Sequence, residues 1–243
     1  MSDPLVCAVC LTKDRPAMLQ RAIWCFRSQT YDNKRLLIYD NGTRCAESKA
    51  ARDVVHIKIA TGSYTIGMLR NAANGRAQKY FQSAILMHWD DDDWSAPTRM
   101  AEQVAALQSG EYDAMGYSDM LFWYEGWVFN DKKESHEAHE RGGQAWLYTA
   151  PHQKEDTVLG TSLAYWRETW ERKSFKDTSR GEDWHFYSGL RVKQLSGIIG
   201  PDGNPAMVAS IHGGNECSVV IPGHEQWKRL PRWDERLREI MTL

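Results

Sequence analysis

Residues 5–11, LVCAVCL, form an unbroken apolar, β-prone run, the pattern of a strand covered on both faces in a parallel sheet. Thr12-Lys13-Asp14-Arg15-Pro16 interrupts it, and Met18, Leu19, Ala22, Ile23 and Phe26 then recur at helical spacing. A second strand is predicted over 35–39, RLLIY, stopped by the turn sequence Asp40-Asn41-Gly42-Thr43. This opening is a βαβ unit. A short strand near 54–59, a polar stretch at Thr61-Gly62-Ser63-Tyr64, a helix over about 67–81 and a strand over 83–89 follow. Pro97 then opens a helix with Met100, Val104 and Leu107 on one face. Regular alternation through residue 110 predicts an α/β sandwich with ligands at the carboxyl ends of its strands.

Beyond residue 110 the alternation degrades. Residues 112–129 are aromatic and strand-like, and 130–143 form a polar, charged, glycine-containing loop. His136 and His139 there resemble a metal pair, but with no third ligand near and no HExxH spacing they read as part of a solvated loop. Residues 170–190 read as a loop running into a helix, and 198–204 as a turn. From Gln226 onward, Trp227, Leu230, Trp233, Leu237 and Ile240 recur at spacings of three or four, interrupted by Pro231. That stripe is expected to pack back onto the domain rather than onto a membrane or partner. No internal repeat or low-complexity segment is present. The whole of 1–243 is expected to form one domain: 1–110 and 111–222 as its two halves, and 223–243 as an amphipathic C-terminal segment.

Composition narrows the class. At 243 residues, 42% hydrophobic and 26% charged, the chain has the make-up of an ordinary globular protein with a sizeable core. A formal net charge of -2 gives no global grip on nucleic acid, and the basic residues Lys228, Arg229, Arg232, Arg236 and Arg238 are interleaved with acids. With no basic leader and no apolar stretch of the roughly 20 residues a membrane span needs, a cytoplasmic location is expected. Five cysteines without framework spacing argue against a disulfide-stapled fold. Cys7 and Cys10 form a CxxC inside a strand, where residues three apart face opposite sides, so they read as core. The eleven tryptophans supply packing and flat rings suited to sugars or bases.

The chemistry concentrates in residues 86–97, LMHWDDDDWSAP, which set four consecutive aspartates at a strand end. Side by side the four carboxylates repel one another and call for a compensating cation. Hard divalent ions prefer carboxylate oxygens, and Mg²⁺ takes only one or two from protein while phosphates and water supply the rest. Mn²⁺ or Mg²⁺ is the expected cation. A helix-capping acidic turn or a structural Ca²⁺ loop is the competing reading.

The DDDD with Trp94, Pro97, Arg99 and Gln103-Val104 resembles the DXD region of the GT-A fold glycosyltransferases, specifically family 2. Thr12, Arg15-Pro16, Ala22-Ile23, Gln29-Thr30-Tyr31 and Asp40-Asn41-Gly42-Thr43 are similar to the nucleotide-binding half of that family, and Gly67 with Arg70-Asn71 to its next element. The match runs in order over about residues 5–110. It implies a nucleotide-diphospho-sugar transferase fold, a three-layer α/β/α sandwich with a mostly parallel central sheet. It further implies Thr12 and Arg15 near the nucleotide, Asp40 or Asn41 on the base, and Arg70 on the base or diphosphate. Asp90 and Asp91 would face ribose or donor sugar, and Asp92 would ligate the metal. The family more often carries a second acid where Asn41 stands, which leaves the donor base open, with a UDP-sugar favoured.

Arg180-Gly181-Glu182-Asp183-Trp184 resembles the late ED motif of the family, about ninety residues after the aspartates. The resemblance makes Asp183 the general base, with Glu182 in reserve. In Ser210-Ile211-His212-Gly213-Gly214 the glycines allow close backbone approach, and the resemblance implies a late histidine, His212, on the metal or diphosphate, against the structural role a lone histidine more often has. Gly160-Thr161-Ser162 resembles the segment near the acceptor, and Trp123, Tyr124, Trp127, Trp146 and His152 are candidates to line an acceptor groove. The expected activity is metal-dependent, inverting transfer of a sugar to an acceptor hydroxyl. A saccharide acceptor is favoured, with a protein or a modified nucleic-acid base as alternatives. The rival readings are a nucleotidyltransferase of related fold and a non-catalytic Ca²⁺-binding carbohydrate-recognition module.

Overall fold

The structure is a computed structural model describing residues 3–44, 52–125, 143–150, 157–212 and 224–242, with backbone alone at 127–128 and 137–138. His136, His139 and His152 lie outside the described residues, as does the side chain of Trp127.

The first half follows its hydrophobic pattern closely. Strand β1 (Val6–Thr12) leads through helix α1 (Pro16–Arg27) to β2 (Lys34–Asp40) and β3 (Val54–Lys58); α2 (Ile66–Phe81), β4 (Ile85–His88), β5 (Trp94–Ser95) and α3 (Arg99–Gln108) follow. Pro16 starts α1, where its missing N–H costs nothing. Leu19, Ala22, Ile23 and Phe26 make the buried face of that helix. Thr65 caps α2 by accepting from Met68 N at 3.1 Å, and Gln82 ends it in the left-handed region.

The second half comprises β6 (Ala114–Tyr124), the two-residue pair β7 (Trp127–Val128) and β8 (Glu137–Ala138), β9 (Gln144–Thr149), β10 (Ala164–Trp166), α4 (Arg167–Arg172), α5 (Glu182–Tyr187), β11 (Val192–Ser196), β12 (Met207–Ile211), β13 (Trp227–Arg229) and α6 (Asp234–Met241). One sheet runs through both halves in the order β13-β9-β6-β10-β4-β1-β2-β3, with β11 and β12 also on β6 and β5 on β12. Strands β5, β9 and β10 run against all the others, so the central sheet is mostly parallel. Helices α1, α3 and α6 contribute to the core on one face, and α2 and α5 to the core on the other. Cys7 and Cys10 fall in these two different cores as free, buried thiols.

The C-terminal stripe divides differently from its helical spacing. Trp227–Arg229 is a strand on β9, because Pro231 breaks the backbone before a helix can extend through it. Only from Asp234 does the chain become helical, burying Leu237, Ile240 and Met241 in the main core. Among the described residues no helix is long and apolar enough to cross a membrane.

Candidate active site

The carboxyl ends of β1, β2, β4 and β12 converge. Parallel register sets Thr12 beside Asp40, and Asn41 N donates to Thr12 O at 3.2 Å. The four aspartates follow β4, and His212 follows β12 directly. Each aspartate takes different partners. Asp90, the most exposed, lies 3.7 Å from Arg70 Nη2. Asp91 turns inward, accepting from Thr12 Oγ1 at 2.6 Å and Arg15 Nη1 at 3.1 Å. Asp92 accepts from the same Arg15 Nη1 at 3.0 Å, and its Oδ2 lies 3.0 Å from His212 Nε2. Asp93 is buried, accepting from Thr161 Oγ1 at 2.5 Å and from Ser210 N at 3.1 Å.

Electrostatics separate the four further. Burial and the neighbouring Asp92 push Asp91 up to about 6, against the pull of Arg15. Burial works to raise Asp92 too, but the hydrogen bond from His212 and the charge of Arg15 outweigh it and hold the carboxyl below its ordinary range. Asp93 is driven well above that range, first by burial and then by Asp92 and Asp90. The cation on the central pair is therefore the Arg15 guanidinium. Asp92 and His212 nonetheless offer a carboxylate oxygen and an imidazole nitrogen at one point, and substrate phosphates would complete the ligands of a Mg²⁺ or Mn²⁺ ion. Their number and chemistry fit such an ion, although no group of three or more such side chains converges among the described residues.

Two further contacts brace this corner. Arg21 Nη2 donates to Asp92 O at 2.5 Å and to Ser210 Oγ at 3.2 Å, while its Nη1 reaches Met241 O at 2.8 Å. Ser210 Oγ itself donates to Asp92 O at 2.6 Å. Nothing in the sequence spacing marks Arg21, since its partners lie on β12, on α6 and in the aspartate run.

Arg70 links the acidic corner to α5. It is buried between Asp90 and Glu182, whose Oε1 lies 3.5 Å from its Nε. Glu182 is raised by burial, with Arg70 opposing. Asp183 is only partly buried, and among the described residues its carboxylate takes one hydrogen bond, from Trp184 N at 2.7 Å. Its side chain lies against Gly160: a Cβ built there would fall 1.7 Å from Asp183 Oδ2. Asp183 thus faces the turn whose next residue, Thr161, holds Asp93. Asp40 forms a separate pocket, accepting from Gly42 N at 2.8 Å with His56 Nε2 at 3.2 Å and Lys58 Nζ at 3.6 Å. His56 and Lys58 were not legible as site residues, because only strand pairing brings them beside Asp40.

The proposed groove aromatics fare unevenly. Trp123 and Tyr124 are buried packing residues on opposite faces of β6, in two different cores, which removes Trp123 and Tyr124 from an open groove. Trp146 is partly buried, opposite Phe122 in the sheet and packed against the same core. The exposed aromatic next to Asp183 is Trp184. In the C-terminal basic cluster, Arg229 pairs with Asp234 and Arg236 with Glu239.

A mostly parallel α/β sheet with acids gathered at its strand ends places a ligand site where open α/β folds carry theirs. The chain belongs to glycosyl transferase family 2, whose model matches residues 7–167. No curated protein matches it by sequence. Solved structures similar in fold include TarS 1-349 of S. aureus, at a TM-score of 0.55 and 11% identity over 85% of this chain and 60% of that one. The same protein in complex with UDP-GlcNAc superposes at 0.57 and 10% identity, over 88% of this chain and 62% of that one. The mannosyltransferase PcManGT from Pyrobaculum calidifontis, in complex with GDP-Man and Mn²⁺, gives 0.57 and 12% identity over 93% of this chain and 59% of that one. This chain therefore spans about three fifths of the length of these structures.

Proposed function

We infer that the protein transfers a sugar from a nucleoside-diphosphate donor to an acceptor hydroxyl, with inversion at the anomeric carbon. The observation that carries this reading is the pairing of two carboxyl systems: a partnered acidic corner at the strand ends and a separate carboxylate, Asp183, held against the turn that joins them. Membership of family 2 and the neighbours bound to UDP-GlcNAc or to GDP-Man and Mn²⁺ support it.

In this reading Asp92 and His212 would hold Mn²⁺ or Mg²⁺, which would supply positive charge to offset that developing on the leaving diphosphate. Arg15 balances the charge of Asp91 and Asp92 beside that site. Thr12 keeps Asp91 oriented, and Asp40 with Asn41 meets the base. Asp90 faces the ribose or the donor sugar. Asp183 accepts the acceptor proton while the acceptor oxygen forms a bond to the anomeric carbon. The bond from that carbon to the diphosphate oxygen breaks, and its electron pair leaves with the nucleoside diphosphate. One displacement without a glycosyl-enzyme inverts the centre. Such a base contributes about 10²- to 10⁴-fold.

A UDP-sugar is the favoured donor and a saccharide the favoured acceptor, the latter because Trp184 offers an exposed flat ring beside Asp183. The test is a screen of UDP- and GDP-sugars, with and without Mn²⁺, read by thermal stabilisation and by nucleoside diphosphate released. Release of a nucleoside diphosphate only when the metal is present is expected. Pyrophosphate release from nucleoside triphosphates would instead make the protein a nucleotidyltransferase, and binding without turnover a recognition module.

A further inference from the structure

The turn Gly160–Ser162 carries more contacts than a connection requires. His88 Nδ1 meets Gly160 O at 2.7 Å, Arg99 Nη2 donates to His88 O at 2.9 Å and to Thr161 O at 3.2 Å, and Gln103 Nε2 donates to Ser162 O at 2.6 Å. Arg99 and Gln103 are themselves buried, Arg99 against the ring of Trp89 at 4.9 Å. A turn clamped from beneath by three buried side chains has little freedom to shift.

Above it lies Asp183. A Cβ on Gly160 would meet not only Oδ2 at 1.7 Å but also Cγ at 2.5 Å and Cβ at 2.7 Å of that side chain. Gly160 does not adopt a positive φ, so room for Asp183, rather than backbone conformation, demands glycine there. On the other side, Thr161 Oγ1 donates to Asp93, the residue after Asp92. A single short path thus runs from Asp92 through Asp93, Thr161 and Gly160 to Asp183.

We propose that this turn sets the position of Asp183 relative to the acidic corner, with Gly160 and Thr161 as positioning residues for the reaction. The proposal rests on Asp183 being the base. Because the turn is clamped and the carboxylate is anchored by one N–H, a methyl group at residue 160 displaces Asp183 rather than the turn. Thr161→Val unties the turn from Asp93 without adding bulk, so it acts in the same direction and more weakly.

The experiment has two arms. In the first, kcat and KM are measured for hydrolysis of whichever of UDP-GlcNAc, UDP-glucose and GDP-mannose the wild-type protein turns over best. Gly160→Ala is expected to lower kcat about 10²-fold, the scale of a 1 Å misplacement, with the donor KM unchanged. In the second, urea unfolding of Gly160→Ala, Asp183→Gly and the double variant forms a cycle that needs no activity. The alanine is expected to destabilise the wild type and to be relieved once the Asp183 side chain is gone. Additive unfolding effects, an unchanged kcat, or a fall in kcat matched by a rise in KM would overturn the proposal. If the wild type turns over none of the three donors, the enzymatic reading fails instead, while the unfolding cycle still decides the contact.

Discussion

The acidic run after β4 and the Glu182-Asp183 pair at the start of α5 are both carboxylate clusters, yet they are held in opposite ways. The first is partnered from four distant segments, by Arg15, Arg70, Thr161 and His212, so that its carboxyl groups are held in place before any substrate arrives. The second is divided: Glu182 is buried on Arg70, while Asp183 stays partly exposed on a six-residue helix. In the proposed reading, a corner that receives a diphosphate gains from fixed, partnered acids, and a group that takes up a proton gains from having its carboxylate largely uncommitted.

The contrast breaks most visibly at Asp183. Asp183→Asn should cost about 10²- to 10⁴-fold in kcat while leaving nucleotide-dependent thermal stabilisation intact. Loss of nucleotide binding in that variant would assign the residue to the donor site instead. Next in size is Arg15→Met, which leaves two buried carboxylates without their cation. It should destabilise the free protein by about 3 kcal/mol, and Mn²⁺ should restore a larger share of that loss than it adds to the wild type. Denaturation midpoints with and without Mn²⁺ measure this, and a variant as stable as the wild type would show that Arg15 is not the compensating charge.

A smaller effect concerns His88, under the turn that seats Asp183. Burial, followed by the charge of Arg70, holds its imidazole well below the usual range. The unfolded chain therefore binds a proton near pH 6.5 that the folded one refuses, so stability is complete above about pH 6.5 and is lost as pH falls below it. The slope approaches about 1.4 kcal/mol per pH unit, and His88→Gln should flatten it in urea titrations across pH 5 to 7. Smallest of all is Asp93→Asn. Burial favours the neutral acid at this residue, so the neutral amide should cost little stability in denaturant titrations, whereas Asp92→Asn should abolish Mn²⁺-dependent stabilisation. Equal behaviour of these neighbours would erase the division of labour in the run.

Much of the first half was legible because its strands are continuous apolar runs and its helices repeat every three to four residues, so local pattern and tertiary burial agree. Strands β11 and β12 escaped notice: VKQLS alternates weakly and MVASI is too short to distinguish from a loop. For the site, residue types were legible and partnerships were not. Four identical aspartates carry no mark of which meets Arg15, Thr161 or His212, whose partners lie 68 to 120 positions away. In the sequence Gly160 is marked only as part of a segment that resembles the one near the acceptor and reads equally as an ordinary turn, and its closeness to Asp183 emerges from the structure.

Arg21 joins the last turn of α6 to the main chain of Asp92 through one guanidinium. Trimming the chain ahead of Asp234 to ease expression or crystallisation would therefore release a strut under the acidic corner. A shortened protein that failed to respond to a divalent ion could owe that failure to the missing helix rather than to its carboxylates.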